Sequence, residues 1–266
     1  MTPRDAAALL DGLTAIASRA ADAIRARPAA TVAHTLKADQ SPVSAADEAA
    51  EAVILDGLMR LVPDIPVVSE EAYQRAAPAH LPSTFLLVDP LDGTREFLAG
   101  RDEFAVNIGL VHDGLPIAGV IAAPARHLVW RGAAERAERV TDHGDGRIGD
   151  VTAIRTRPWP AQGAVATVSR SHLDPQTEAY LARLPVTRAA SGSALKFCAI
   201  AQGNADLYPR FGPTCEWDIA AGHAILVAAG GAMTDASGRP LRYGQLATRL
   251  RVPGFLAWGD PSRAAG

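Results

Sequence analysis

Residues 85–97 read FLLVDPLDGTREF. Four apolar residues, Phe85 to Val88, carry the pattern of a buried strand and stop at Asp89. After Pro90 and Leu91 comes a second carboxylate, Asp92, followed by Gly93 and Thr94. Asp-Pro and Asp-Gly are ordinary turn dipeptides, so the segment by itself reads as a strand running into a turn. That reading leaves the second acid unexplained. Pro90 fixes the backbone and the turn brings Asp92 back towards Asp89. Two carboxylates held that close repel one another unless a cation lies between them. An all-oxygen donor set favours a hard divalent ion, Mg²⁺. Gly93 and Thr94 add backbone N–H groups and a hydroxyl suited to a phosphate oxygen, so the stretch points to phosphoryl hydrolysis.

Around this segment, Leu9, Leu13, Ile16, Ala20 and Ile24 recur at three- and four-residue steps, which predicts an amphipathic helix over 3–27 started by Thr2, Pro3 and Asp5. Residues 34–47, HTLKADQSPVSAAD, read as a polar loop. A second helix is expected from Ser44 to about Leu61, with Val53, Ile54, Leu58 and Leu61 inward. IPVVSEE (65–71) reads as a short strand ending in two acids. FAVNIGLV and IAGVIAAP read as strands about an Asp113-Gly114 turn, HLVWRG continues the antiparallel pattern, and 141–150 is loop-like. RTRPWPAQG (155–163), with two prolines, is the candidate boundary. Beyond it strands (GAVATVS, DLYPR) alternate with helices (DPQTEAYLARL, SALKFCAIAQG, EWDIAAGHAILVAAGG). The expectation is an α/β protein with a mixed, antiparallel-sheet N-terminal half (1–157) and an α/β C-terminal half (158–266).

Composition narrows the function classes. The chain has 266 residues, 48% of them hydrophobic, and 26 Lys+Arg against 29 Asp+Glu give a net charge of −3. There is no basic excess of the kind that marks a nucleic-acid footprint, so an anionic substrate has to be met by local charges or bound cations. Cys198 and Cys215 have no metal-ligand spacing and suit a reducing compartment. Arg4, Asp5 and Asp11 interrupt the N-terminal apolar run, and no uncharged stretch approaches the roughly 18–20 residues of a membrane span. The expected protein is cytoplasmic, a monomer or homodimer, without integral membrane contact.

Each remaining acid has a bland explanation. Ser44 and Asp47 fit a capping box, Glu70 and Glu71 a solvated strand end, and Asp218 the cap of the helix beginning near Trp217. Together they are harder to dismiss, because each sits where a strand ends or a helix starts, which is where α/β folds build sites. Two phosphatase chemistries compete. In the haloacid-dehalogenase class a strand ends Asp-x-Asp-Gly-Thr and the first Asp is a covalent nucleophile. Here the acids are three apart, which disfavours that geometry. The alternative activates water at metal ions ~3.5–4 Å apart and needs several carboxylates and a hydroxyl–acid pair.

The set KADQSPVSAAD (37–47), VVSEE (67–71), DPLDGTREF (89–97) and EWDIAAGHAILVAAGG (216–231) resembles the inositol monophosphatase superfamily of Mg²⁺-dependent, lithium-sensitive phosphatases. Within it, VSRSHLD (168–174), SGSALKFCAIAQG (191–203) and LYPRFGPTCEWDIAAGHA (207–224) resemble the bacterial 3′(2′),5′-bisphosphate nucleotidases, which convert adenosine 3′,5′-bisphosphate to AMP and phosphate in sulfur metabolism. The resemblance implies a layered α-β-α-β-α sugar-phosphatase fold, with metals in the N-terminal half and nucleotide recognition in the C-terminal half. It implies that Glu70, Asp89 and the Leu91 carbonyl hold one Mg²⁺, and that Asp89, Asp92 and Asp218 hold a second. A third, labile ion would touch Glu70. Asp47 and Thr94 would orient the attacking water, and Gly93 and Thr94 would receive the scissile phosphate. Ser44 stands where Thr is usual in the family and Ser69 where Gly often precedes the acid pair; neither removes a ligand. Asp39 is a candidate mobile acid in the same loop.

For the second phosphate and the nucleoside, the candidates are Ser193 and Lys196, three apart at an expected helix start, with Arg210 and His172. The competing explanation for Lys196 and Arg210 is a surface cation. An inositol-1-phosphate or fructose-1,6-bisphosphate phosphatase would share every metal ligand, and a non-catalytic nucleotide sensor would share the pocket.

Overall fold

The computed structural model describes residues 1–36, 42–171 and 173–265. The amphipathic N-terminal segment forms two helices, α1 (Pro3–Ala8) and α2 (Leu10–Arg25), where the spacing predicts one. The Leu9 N–H turns back to the Ala6 carbonyl at 3.1 Å, a tightened turn that breaks the run. Inside the expected polar loop, β1 (His34–Leu36) pairs antiparallel with β2 (Pro42–Ser44), and α3 (Ala45–Leu61) follows. The strand expected over 65–71 is shorter: β3 (Val67–Ser69) ends before the acids, and Glu70 opens α4 (Glu70–Arg75). Glu71 is buried, so the pair is no solvated strand end.

The chain then runs through β4 (Thr84–Asp92), α5 (Thr94–Leu98), β5 (Ala105–His112), β6 (Leu115–Ala123), β7 (Leu128–Ala133), β8 (Arg136–Gly144) and β9 (Arg147–Ala153). These strands with β3 form a seven-stranded sheet in sequence order, antiparallel except for the β3–β4 pair. The segment 141–150, loop-like in sequence, is in fact a hairpin turning at Asp145 and Gly146, both at positive φ. Its return strand β9 is an edge strand exposed along most of its length, so it carries no apolar alternation to betray it.

The second half comprises β10 (Ala164–Ser169), α6 (Pro175–Leu181), β11 (Val186–Ser191), α7 (Leu195–Ala201), β12 (Leu207–Arg210), β13 (Thr214–Cys215), α8 (Glu216–Ala228), β14 (Ala232–Asp235), β15 (Arg251–Val252) and β16 (Phe255–Trp258). A five-stranded mixed sheet has the order β11-β10-β12-β16-β14.

Alternation along β4 assigns the faces of the first sheet. Leu86 and Val88 pack with Leu13, Ile16, Ile54 and Leu58 of α2 and α3, while Phe85 and Leu87 pack with Phe197, Ile219 and Ile225 of α7 and α8. The second sheet closes over α7 and α8, and its outer face (Ala166, Val168, Leu207) is covered by Leu181 of α6. The layers are therefore α-β-α-β-α.

What lets α8 lie so close to the first sheet is a row of glycines. Gly109, Gly119 and Gly132 are register partners on β5, β6 and β7. A β-carbon on Gly119 would sit 2.2 Å from the Ala221 carbonyl oxygen, one on Gly109 2.8 Å from the Ala220 side chain, and one on Gly132 2.8 Å from the Ile225 Cα. The obstacle at Gly119 is backbone, which cannot rotate away. Gly119→Ala should therefore destabilise the protein by about 1–3 kcal/mol or more through overpacking, read as a fall in the thermal unfolding midpoint. An unchanged midpoint would show that α8 is free to shift.

Candidate active site

Several short elements deliver their first residues to one cavity of about 210 Å³ between the two halves of the chain. Glu70 is the first residue of α4, Thr94 the first of α5, and Asp218 lies in the first turn of α8; all three line it, with Asp89, Asp92 and Lys196.

The central segment departs from a simple strand-then-turn. Strand β4 continues to Asp92 through a bulge: Asp89 pairs with Asn107 and Asp92 with Ala105, so three steps on β4 match two on β5. The Leu91 N–H donates to Asp89 Oδ1 at 3.0 Å. Gly93 follows at φ +92°, and a β-carbon there would come within 3.1 Å of the Glu103 carbonyl oxygen, so both conformation and space call for glycine.

Asp47 is buried at the start of α3 and does what its capping pattern predicts. The Ser44 N–H and hydroxyl donate to its Oδ2 at 2.8 and 2.7 Å. That leaves Oδ1 facing the Thr94 hydroxyl at 3.1 Å. The same hydroxyl lies 3.0 Å from the Leu91 carbonyl, but it has one proton and can donate to only one of the two at a time. Cap and site role are thus compatible on separate oxygens. Asp218 behaves similarly, accepting from the Thr214 hydroxyl (2.6 Å) and the Cys215 N–H (2.9 Å) ahead of α8.

Glu70, Asp89 and Asp218 each offer a carboxylate oxygen within 4.8 Å of the others, a spacing that could hold one cation. Burial, and then the charges of Glu70, Asp92, Asp218 and Asp47, push Asp89 well above the usual carboxylate range. Burial and Asp218 raise Asp92 to about 6, against the opposing pull of Lys196, Asn107 and the Ala194 N–H. An all-carboxylate donor set under this much mutual repulsion fits a hard divalent ion. Asp92 stands beside the trio with its Oδ2 held by the Ala194 N–H at 2.6 Å and Asn107 Nδ2 at 3.3 Å.

Asn107 went unread in the sequence, although a lone amide inside the apolar run FAVNIGLV was its signal. It is fully buried opposite Asp89, and its Oδ1 has no hydrogen-bond partner.

Lys196 is no surface cation: it is 2% exposed, in the first turn of α7, with Nζ 2.5 Å from the Ser193 carbonyl, 3.3 Å from the Ser191 carbonyl and 5.1 Å from the Tyr208 ring centre. Ser193 precedes the helix at φ +49°. Arg210 lines the same cavity half-buried, donating to the Pro213 carbonyl at 2.7 Å, while its Nε is buried without a partner. Asp39 and His172 lie outside the described residues. Among the described residues no helix is long and apolar enough to cross a membrane.

A model of the inositol monophosphatase family matches residues 5–255. The 3′(2′),5′-bisphosphate nucleotidase CysQ of Escherichia coli O157:H7 is 43% identical over 253 residues, covering 93% of this chain and 98% of the relative. That of Buchnera aphidicola is 39% identical over 224 residues, covering 83% and 82%. The crystal structure of CysQ from Bacteroides thetaiotaomicron, a bacterial member of the same family, superposes with a TM-score of 0.77 at 34% identity, covering 93% of this chain and 96% of that one. An inositol monophosphatase from Anabaena gives 0.74 at 26%, covering 97% and 94%.

The carboxylate cluster predicts a separation of stability from cation response. Asp89→Asn removes the most strained charge, so the metal-free variant should unfold at or above the wild-type midpoint, while the rise caused by millimolar Mg²⁺ or Mn²⁺ is lost. A variant that still gains the wild-type increment would remove Asp89 from the cation site.

Proposed function

The chain belongs to the inositol monophosphatase family, and on that premise we propose that it is a Mg²⁺-dependent 3′(2′),5′-bisphosphate nucleotidase, releasing the 3′-phosphate of adenosine 3′,5′-bisphosphate to leave AMP. The observation that carries this reading is the company kept by the acids: the Glu70–Asp89–Asp218 cluster shares one cavity with Thr94, whose hydroxyl faces the Asp47 carboxylate behind it. The CysQ relatives supply the substrate class.

Glu70, Asp89 and Asp218, with Asp92 and the Leu91 carbonyl beside them, would hold Mg²⁺. When bound, the ions would offset phosphate charge and make a neighbouring water more acidic. The chain's own part is orientation and proton movement. The Thr94 hydroxyl accepts a proton from the attacking water while passing its own to Asp47 Oδ1. The new bond forms from that water to phosphorus as the bond to the ribose 3′-oxygen breaks, and that oxygen takes a proton from solvent. Choosing Asp47 over the Leu91 carbonyl leaves that carbonyl free to turn to a cation. The Gly93 and Thr94 N–H groups receive the transferring phosphate. Lys196 and Arg210, with Ser193, would meet the 5′-phosphate; they are cations on the wall across from Glu70, Asp89 and Asp92 in the same cavity, which Arg95 also lines.

Phosphate release from adenosine 3′,5′-bisphosphate, inositol-1-phosphate and fructose-1,6-bisphosphate, with and without Mg²⁺ and Li⁺, tests the substrate. The nucleotide is expected to lead, with Mg²⁺ required and Li⁺ inhibitory; parity with inositol phosphate would overturn the choice. Asp47→Asn keeps an acceptor for the Ser44 cap and should lower kcat by roughly 10²–10⁴-fold. Wild-type turnover in that variant would exclude the proton route.

A further inference from the structure

The cavity has two walls from distant parts of the chain, and one residue touches both. Glu103 lies between α5 and β5. Its backbone oxygen would be 3.1 Å from a β-carbon on Gly93 and 2.5 Å from one on Gly192. Gly93 belongs to the phosphate-receiving wall, and Gly192 leads into Ser193 and Lys196 on the opposite one. The Glu103 carboxylate strengthens the same junction. Its Oε2 accepts the Gly192 N–H at 3.1 Å, and both its oxygens accept from Arg170, Nε at 2.6 Å and Nη2 at 2.8 Å. Arg170 Nη2 also donates to the Ala190 carbonyl at 3.0 Å, so the guanidinium grips the strand leading into the loop. Nearby, the Ser171 hydroxyl bonds to Glu96.

We propose that Glu103 is a positioning residue for substrate recognition: gripped by Arg170 and by the Gly192 N–H, it sets where residues 191–196, and with them Lys196, stand relative to Asp92 and Gly93. Three features support this beyond an ordinary surface ion pair. The pairing is bidentate, which fixes direction as well as distance. The Glu103 side chain is 12% exposed although Arg170 is 39% exposed, so the carboxylate is held away from solvent. Finally, the loop it holds is anchored at its other end by the Ala194 N–H on Asp92 (2.6 Å) and carries Lys196, whose Nζ lies on the Ser191 and Ser193 carbonyls. Displacing Gly192 moves the carbonyls that aim the Lys196 ammonium. Among the described residues the Glu103 carboxylate hydrogen-bonds to Arg170 and the Gly192 N–H and to no cation ligand, and in this reading it does not meet the transferring phosphate. Its loss should therefore weaken binding of the part of the substrate remote from the chemistry and leave the chemical step nearly intact.

The inference rests on the nucleotidase reading for its kinetic arm alone. That arm uses whichever phosphate ester in the panel the wild type hydrolyses best. The second arm, hydrogen exchange of residues 189–196, needs no substrate. Glu103→Ala should raise KM by about tenfold or more with kcat within about threefold of wild type. Glu103→Gln, which keeps an acceptor for Gly192 while losing the charge on Arg170, should fall between. In both variants amide protection at Gly192 and Ala194 should drop while that of β4 and β5 is kept. An unchanged KM overturns the proposal, as does a fall confined to kcat, and so does wild-type protection across 189–196. Should Glu103→Ala not fold, Glu103→Gln alone decides by the same criteria. Should the wild type hydrolyse no ester in the panel, the exchange arm decides by itself and the nucleotidase reading fails separately.

Discussion

The contact of the α8 backbone with the glycine row of β5, β6 and β7 is the constraint from which the site follows. With side chains at Gly109, Gly119 and Gly132 the helix would stand off the sheet by the depth of at least a methyl group, and Asp218 would move with it. Close approach brings an acid from the C-terminal half of the chain to within a cation's reach of Glu70 and Asp89. Gly222 repeats the device on the other side of α8, where a β-carbon would meet the Phe197 ring at 2.3 Å and separate α8 from the helix that carries Lys196.

This packing holds carboxylates where their repulsion opposes folding. Asp89 sits under four apolar residues of its own strand, fully inside the sheet, with four further acids around it. Nothing in stability alone favours that arrangement, because a buried charge without a partner is costly. It makes sense as stored affinity for a cation, assembled by elements whose rigidity comes from elsewhere. The hydrogen bonds divide the work: Asp47 and Asp218 each spend one oxygen on the start of their own helix, which fixes the direction of the carboxylate.

Much of this was legible in FLLVDPLDGTREF and the long-range acid pattern, because strand ends and helix caps have local signatures. Asp47, Asp92 and Asp218 could be singled out for that reason, and the capping explanation for Asp47 and Asp218 proved compatible with a place in the site. Three things were not legible, each for a physical reason. The bulge at Asp89–Asp92 depends on register with β5, and no local signal reports a cross-strand partner. Strand β9 is held by pairing along an exposed edge and so lacks alternation. The burial of Lys196 depends on the second sheet closing over α7, which turned a residue with the sequence profile of a surface cation into one aimed by two carbonyls. Glu103 and Arg170 belong to the same class: on their own they are ordinary surface charges, and only the fold makes them a junction.

The central claim is that Glu70, Asp89 and Asp218 form a cation site built by the docking of α8. The most direct measurement is anomalous scattering from crystals of the wild-type protein soaked in Mn²⁺, which takes the same oxygen donors as Mg²⁺. The account predicts an anomalous peak within coordination distance of all three carboxylates. A protein that binds Mn²⁺ elsewhere while these carboxylates remain without an ion would contradict it.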